Sequence, residues 1–326
     1  MAHDTNYLPL LASSPTAVSR MNLSGGNTVL LTGASGGLGR VMAEAFARKG
    51  ARLALVAHPG AELEPLRQSL TGNGTFAKAY IADLRDGKQR QDILQWVRRD
   101  FGPVDVLVNN AGVEYTEVYH ELTGSQIAEV LAVNLEAPMF LAWHLLPEML
   151  ERRQGHIVNI SSLAGKAGPA CQEPYAATKA ALVAFTASLR ATYRGTGVSA
   201  SVIVPGFVEA GIYARLKSSS GCSAPALLAG CRPEAVAKAL IKAIEADLPE
   251  VIVNRYPVRP LLALSALSPT LGNWFTSRMG VHEFFRKVIE ARKSRQKTAG
   301  PDVESPGGLA DCGTSVCREE RQTGNV

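Results

Sequence analysis

The strongest constraint on the fold is a rhythm. From Thr28 onward, short apolar runs alternate with longer stretches of helical period. The strand-like runs are Thr28–Thr32, Arg52–Ala57, Ala77–Ile81, Val104–Val108, His156–Ser161, Ser199–Val204 and Glu250–Asn254. Between them, 40–49, 90–99, 125–150, 175–194 and 233–246 carry apolar residues at helical spacing. Ala43, Phe46 and Ala47 make one such stripe, and Ile93, Leu94 and Val97 another. Strands alternating with helices at this spacing imply βαβ units; parallel strands need such crossovers, and the right-handed rule winds them into one sheet with helices on both faces. The expectation is an α/β chain with a doubly wound parallel sheet of seven strands. Ligands of such sheets bind beyond the strands' carboxyl ends.

Two flanks lie outside the rhythm. Residues 1–25 read as a loose N-terminal leader and 26–254 as the domain. Residues 255–297 are apolar and Pro-interrupted, then amphipathic, with Phe285, Val288 and Ile289 on one helical face. They read as a C-terminal helical extension. Residues 298–326, rich in Gly, Ser, Thr and charge, read as a disordered tail. Of 326 residues, 46% are hydrophobic, enough for one sizeable core.

The five cysteines are odd in number and form no CxxC pair, which points to a reducing compartment and away from a disulfide framework. No Cys/His cluster has zinc-site spacing. The net charge of +5 is concentrated late, at Arg286, Lys287, Arg292, Lys293, Arg295 and Lys297. It reads as a solvated helix end in preference to a contact with anionic lipid or an acidic substrate group. No basic-aromatic array suits nucleic acid. No basic stretch precedes an apolar one near Asp4, so a secretory signal is not expected and a cytoplasmic setting is. No uninterrupted apolar run reaches the ~20 residues of a membrane span; the best, Leu261–Leu271, is broken by Pro269.

The first strand runs into Thr32-Gly33-Ala34-Ser35-Gly36-Gly37-Leu38-Gly39 before a helix. A pyrophosphate needs backbone N–H donors at a helix N-terminus with no side chains in the way, and glycines provide both. The spacing, Gly33-x3-Gly37-x-Gly39, resembles the TGxxxGxG loop of the short-chain dehydrogenase/reductase family. Asn109-Asn110-Ala111-Gly112 resembles that family's NNAG segment, Tyr175-x3-Lys179 its YxxxK, and Pro205-Gly206 its PG turn. The resemblance covers about 27–254. It implies a Rossmann-type fold, a nicotinamide cofactor, and interconversion of a carbonyl and an alcohol.

The resemblance also implies site residues. Asn134, Ser162, Tyr175 and Lys179 fall on the catalytic tetrad, Ser162 lying thirteen residues before Tyr175. Ser161, its neighbour, reads instead as a cofactor or structural contact. Cofactor contacts fall on Gly33, Ser35, Gly36, Gly37, Leu38, Gly39, His58, Asp83, Leu84, Asn110, Ala111, Gly112, Tyr175, Lys179, Pro205, Gly206 and Val208. No metal is implied. The pair has its own chemical logic: four apart on a helix, Tyr175 and Lys179 share a face, and a nearby ammonium favours the phenolate.

Ala57-His58 closes the second strand where NAD-preferring relatives place an acid, so NADP(H) is favoured over NAD(H), although Gly36 stands where many NADP-linked relatives carry Arg or Lys. Ala210 stands where the family often has Thr, which puts one nicotinamide contact in doubt.

The segments 166–174 and 207–232 are the expected substrate region, with Pro169, Cys171, Phe207, Ile212 and Tyr213 as lining and an apolar substrate. Met139 and Trp143 read as core or subunit-interface residues, and the resemblance implies a homodimer or homotetramer. For the stretch from Tyr256 through Trp274 and Phe275, a flap over the pocket or a subunit contact is preferred to a peripheral membrane contact. The competing function is a redox-sensing regulatory protein that binds the cofactor without turnover.

Overall fold

The computed structural model describes residues 21–299, apart from 24, 226, 227 and 229. Seven strands form one all-parallel sheet: β1 (Thr28–Thr32), β2 (Arg52–Ala57), β3 (Ala77–Ile81), β4 (Val106–Asn109), β5 (Gly155–Ile160), β6 (Val198–Pro205) and β7 (Glu250–Val253). Their order is β3-β2-β1-β4-β5-β6-β7. The order reverses between β1 and β4, which opens a crevice at their carboxyl ends. The central strands are buried on both faces, as a helix-covered parallel sheet requires.

Helices α1 (Gly37–Ala47), α2 (Glu64–Gly72) and α8 (Pro233–Glu245) cover one face, packing Met42, Phe46, Leu66, Leu70, Leu240 and Ile244 against it. On the other face lie α3 (Gly87–Phe101), α5 (Ala137–Glu151) and α6 (Glu173–Thr192), with Ile93, Val97, Leu141 and Leu145 in the core. Asp86 caps α3 by accepting from the Lys88 and Gln89 amides.

Several boundaries differ from the sequence expectation. The helix expected over 125–150 is two helices, α4 (Gly124–Leu131) and α5, joined by a π-helical turn at Ala132–Glu136. By length and composition the whole stretch Gly124–Glu151 could cross a membrane, yet half of its apolar window is buried in the fold. Helix α1 starts at Gly37, before the expected Arg40, because glycines there hide helical character from propensity. Two helices were not expected: α2, although Leu66 and Leu70 share its buried face, and α7 (Gly211–Ser220) within the substrate region, which carries no strong stripe. The loose leader does not extend to Met21 and Leu23, which are buried in the core; residues 1–20 lie outside the described residues.

The extension is three helices: α9 (Arg259–Leu267), α10 (Pro269–Arg278) and α11 (Val281–Ala299). Helix α11 buries Phe284, Phe285 and Val288 against Tyr213 and Leu216 of α7, making a third apolar cluster. The tail expected over 298–326 falls, beyond Ala299, outside the described residues.

Candidate active site

The loop after β1 is shaped by close approach. Gly33 has φ +66°, and a Cβ there would press on the Ala111 backbone at 2.8 Å. A Cβ at Gly39 would fall inside the contact radius of the Gly33 carbonyl oxygen. Asn110 fastens the turn, its Nδ2 donating to the carbonyls of Thr32 and Gly33 at 3.0 Å each. The N-cap residue of α1 is Gly36, which supplies no side-chain cap. The first-turn amides therefore face the cavity without an internal acceptor, which is an anion site.

Further along the crevice, the end of β5 and the start of α6 meet. Ser161 is buried, and its Oγ donates to the Lys179 carbonyl at 2.7 Å. Ser162 faces the cavity near the Tyr175 phenol, and its Oγ accepts from the Ala164 amide at 3.1 Å. Lys179 is 4% exposed, with Nζ donating to the Ile160 carbonyl at 2.9 Å and lying 5.6 Å from the centre of the Tyr175 ring. Helix α6 is held on the sheet by a buried chain of hydrogen bonds, from Asn109 Nδ2 to Asn159 Oδ1 at 2.8 Å and from Asn159 Nδ2 to Thr186 Oγ1 at 2.9 Å.

The electrostatics differ from the expectation that Lys179 pulls the phenol's pKa down. Burial pushes the Tyr175 phenol up to about 12, against the nearby Ser162 hydroxyl, which favours the phenolate. The carboxylate of Glu114 raises it further, and Arg215 works the other way. Burial also brings Lys179 down to about 8. Both groups sit deep in the crevice, where desolvation disfavours phenolate and ammonium alike.

Asn134 lies in the π turn, fully buried, and stands behind the cavity wall. Its Oδ1 accepts from the Val113 amide at 2.8 Å and its Nδ2 donates to the Val113 carbonyl at 2.9 Å. All the other expected catalytic and cofactor residues line one cavity of about 1740 Å³. That exceeds the ~300–1,000 Å³ of a typical single-ligand pocket and leaves room for a dinucleotide beside a second molecule. The glycine cradle, the uncapped N-terminus of α1 and the buried Lys179 suit the phosphates and ribose of a nicotinamide dinucleotide. Gly112 lines the cavity beside Lys179 and Asn134, and a Cβ there would stand at ordinary contact distance, 3.5 Å, from Lys179 Nζ and Asn134 Oδ1. Asp83 lines the cavity too, but its carboxylate is engaged by Arg85 at 2.6 Å.

Of the expected substrate-lining residues, Pro169, Phe207, Ile212 and Tyr213 reach the cavity, whereas Cys171, with φ +63°, packs beside it. Sequence reasoning missed Glu114, whose Oε2 accepts from Thr116 Oγ1 at 2.7 Å and from Gln172 Nε2 at 2.9 Å at the cavity wall. Its place two residues after Gly112 was the available signal. The contribution of α9, α10 and α11 to the roof, through Leu262, Met279 and Phe285, carried no motif.

A doubly wound sheet with a phosphate cradle at its switch point and a Ser–Tyr–Lys group beyond the neighbouring β5 defines a nicotinamide-dependent oxidoreductase. The short chain dehydrogenase family model matches residues 27–220. The ketoacyl reductase HetN of Nostoc sp. is 38% identical over 272 residues, covering 82% of this chain and 94% of the relative. A short-chain dehydrogenase of Sphingobium yanoikuyae, solved with NADPH, superposes with a TM-score of 0.66 at 27% identity, covering 76% of this chain and 95% of that one. One from Burkholderia phymatum, solved with NAD, gives 0.68 at 25% identity, over 77% and 96%. The chain belongs to the short-chain dehydrogenase/reductase family. It is an oxidoreductase acting on CH–OH and C=O groups.

Proposed function

We propose that this chain is an NADPH-linked reductase of an apolar carbonyl compound, of the kind that a 3-oxoacyl chain represents. The observation that carries the reading is continuity. The cavity runs from the glycine cradle past Ser162 and Tyr175 into a region walled by Phe207, Tyr213, Leu228, Val258, Leu262 and Phe285. The name of the Nostoc relative, a ketoacyl reductase, supports the substrate class.

A bound nicotinamide would supply the hydride for reduction or accept it in oxidation. The chain's residues hold the reactants and move the proton. The first-turn amides of α1 would hold the pyrophosphate, and Lys179 would hold the nicotinamide ribose. Ser162 donates a hydrogen bond to the carbonyl oxygen, and Tyr175 gives its phenolic proton to the same oxygen as charge develops there. A high phenol pKa keeps Tyr175 protonated at neutral pH, which suits reduction. Asn134 positions the segment around Val113 behind Lys179. The preference for NADPH is supported by the neutral end of β2, where His58 is exposed and no carboxylate would repel a 2′-phosphate. Exposed Leu131, Met139 and Trp143 on α4 and α5 support self-association, checked by light scattering on the wild type and Trp143→Glu.

A panel of short and long carbonyl substrates run with NADPH and with NADH tests the reading. Turnover with NADPH on the long-chain members is expected, and Tyr175→Phe lowers kcat/KM by roughly 10²–10⁴-fold while cofactor affinity holds. Cofactor binding with no turnover on any substrate would favour the regulatory alternative. His58→Asp is expected to lower kcat/KM for NADPH by about tenfold or more and to spare NADH.

A further inference from the structure

The inner and outer faces of the α9–α10 pair are unlike each other. Inward, Leu261, Leu262, Ser265, Thr276 and Met279 line the cavity. The two helices touch at Gly272, where a Cβ would meet Ser265 at 2.7 Å, so the pair is a thin, close-packed flap. Outward, Leu264, Leu267, Leu271 and Trp274 are 36%, 85%, 45% and 57% exposed, with Tyr256 at 43% beside them. Leu264 and Leu267 share one helix face, as do Leu271 and Trp274, each pair three residues apart. Large side chains gathered and exposed on two short helices mark a surface that is covered in use.

The charges around this face choose the occupant. Residues 251–282 contain three arginines, Arg255, Arg259 and Arg278, and no Asp or Glu. All three arginines are exposed. On the neighbouring α11, Arg286 and Lys287 are exposed too; of the acids flanking the face, Glu283 pairs with Lys287 at 3.5 Å, Glu250 with Lys166 at 2.5 Å, and Glu209 shares a small pocket with Arg255. A two-fold contact between two copies would set this basic rim against itself. An anionic lipid surface attracts the rim and takes up the leucines and the tryptophan below the headgroups. A tryptophan beside arginines is the composition of the membrane–water boundary.

We infer that the outer face of α9–α10 docks on an anionic lipid bilayer, so that the cavity roofed by the same two helices opens next to the membrane. The docking stands on the surface alone; its value to catalysis rests on the proposed apolar substrate, which would pass from the bilayer beneath the flap.

The test is flotation of the full chain with phosphatidylglycerol/phosphatidylcholine vesicles and with pure phosphatidylcholine vesicles. Wild type is expected to float with the anionic vesicles, less so at high salt, and to remain behind with the neutral ones. The double variant Leu267→Glu/Trp274→Glu is expected to bind about a hundredfold more weakly, with unchanged turnover of a water-soluble carbonyl, because neither side chain lines the cavity. Absence of wild-type flotation, or flotation undiminished in the double variant, overturns the inference. So does a drop in oligomeric size in the double variant when the wild type does not float, for a second copy would then cover the face. Flotation of a protein that reduces no carbonyl supports the docking and sinks the substrate reading alone.

Discussion

At the scale of single residues, the site is governed by burial more than by pairing. Tyr175 and Lys179 are both driven toward their neutral forms, and Glu114 adds to the effect on the phenol. Glu114→Gln removes a negative charge, so the Tyr175 pKa falls. In alcohol oxidation the phenolate takes the proton, and the rate rises with pH through that pKa. The kcat/KM profile for oxidation is therefore expected to move to lower pH in Glu114→Gln, while reduction near pH 7 changes little; an unmoved profile would remove Glu114 from the site's electrostatics. A second buried group makes a prediction about stability. His156 is fully buried, with Nε2 2.8 Å from Ser201 Oγ. Ser201 spends its own proton on the Leu248 carbonyl, so it accepts from His156 Nε2–H, and Nδ1 is left bare and unpartnered. Burial lowers the His156 pKa from 6.5 to about 4. The unfolded chain then binds the extra proton between those values. The stabilising contribution is complete above pH 6.5 and falls as the pH drops through 4, by about 3 kcal/mol in all. Melting temperatures measured from pH 7 to 4 should fall more steeply in wild type than in His156→Asn.

At the scale of elements, the π turn at Ala132–Glu136 carries the clearest consequence. Asn134 satisfies both the N–H and the C=O of Val113, just past the Asn-Ala-Gly segment. Asn134→Ala leaves both groups without those partners and is expected to cost about 1–3 kcal/mol in denaturant unfolding, besides lowering turnover. A variant that lost turnover alone would restrict Asn134 to catalysis. The π turn also marks what could be read from sequence. The strands were legible because central parallel strands are short continuous apolar runs, and β1, β2 and β3 fall on their expected residues. The interruption of 125–150 was not, because a single π turn shifts the apolar phase by only about one residue, which a short stretch of mixed apolar residues does not reveal. Helix α7 was missed for another reason. Gly211-Ile-Tyr-Ala-Arg-Leu-Lys-Ser-Ser-Ser buries its apolar residues on α11, about seventy residues later in the chain, and no local stripe records that contact. Apart from Asn134, which lies in the π turn, the expected site residues share one cavity because they sit at strand ends or in the helix turns that follow them, where the chain has little freedom. Glu114 was not legible, because its meaning depends on Gln172 and Tyr175 arriving from α6.

At the scale of the whole molecule, the parallel sheet builds the cofactor half of the cavity and the C-terminal helices build its roof. Helix α11 is fixed from both sides of the opening. Lys293 pairs with Glu121 and, at 3.5 Å, with Glu117, while His282 Nδ1 accepts from the Ala170 amide at 3.0 Å. Arg292 reaches Ser219 of α7 at 3.0 Å. Between these ties, Phe284 and Phe285 pack against Phe207 with ring centres 5.3 and 6.0 Å apart. Phe285 lines the cavity and Phe284 does not, although the two are equally buried. That difference separates packing from recognition. Each Phe→Ala variant is expected to lose stability by up to about 3–5 kcal/mol. Only Phe285→Ala should also raise KM for a long apolar carbonyl, by roughly tenfold, since the missing ring forms part of the substrate wall. Neither should change the affinity for NADPH, because the glycine cradle and Lys179 lie on the sheet and on α6. Steady-state kinetics with long and short substrates, beside fluorescence titration with NADPH, checks all three statements. Equal KM changes in the two variants would mean that α11 stabilises the roof without touching the substrate.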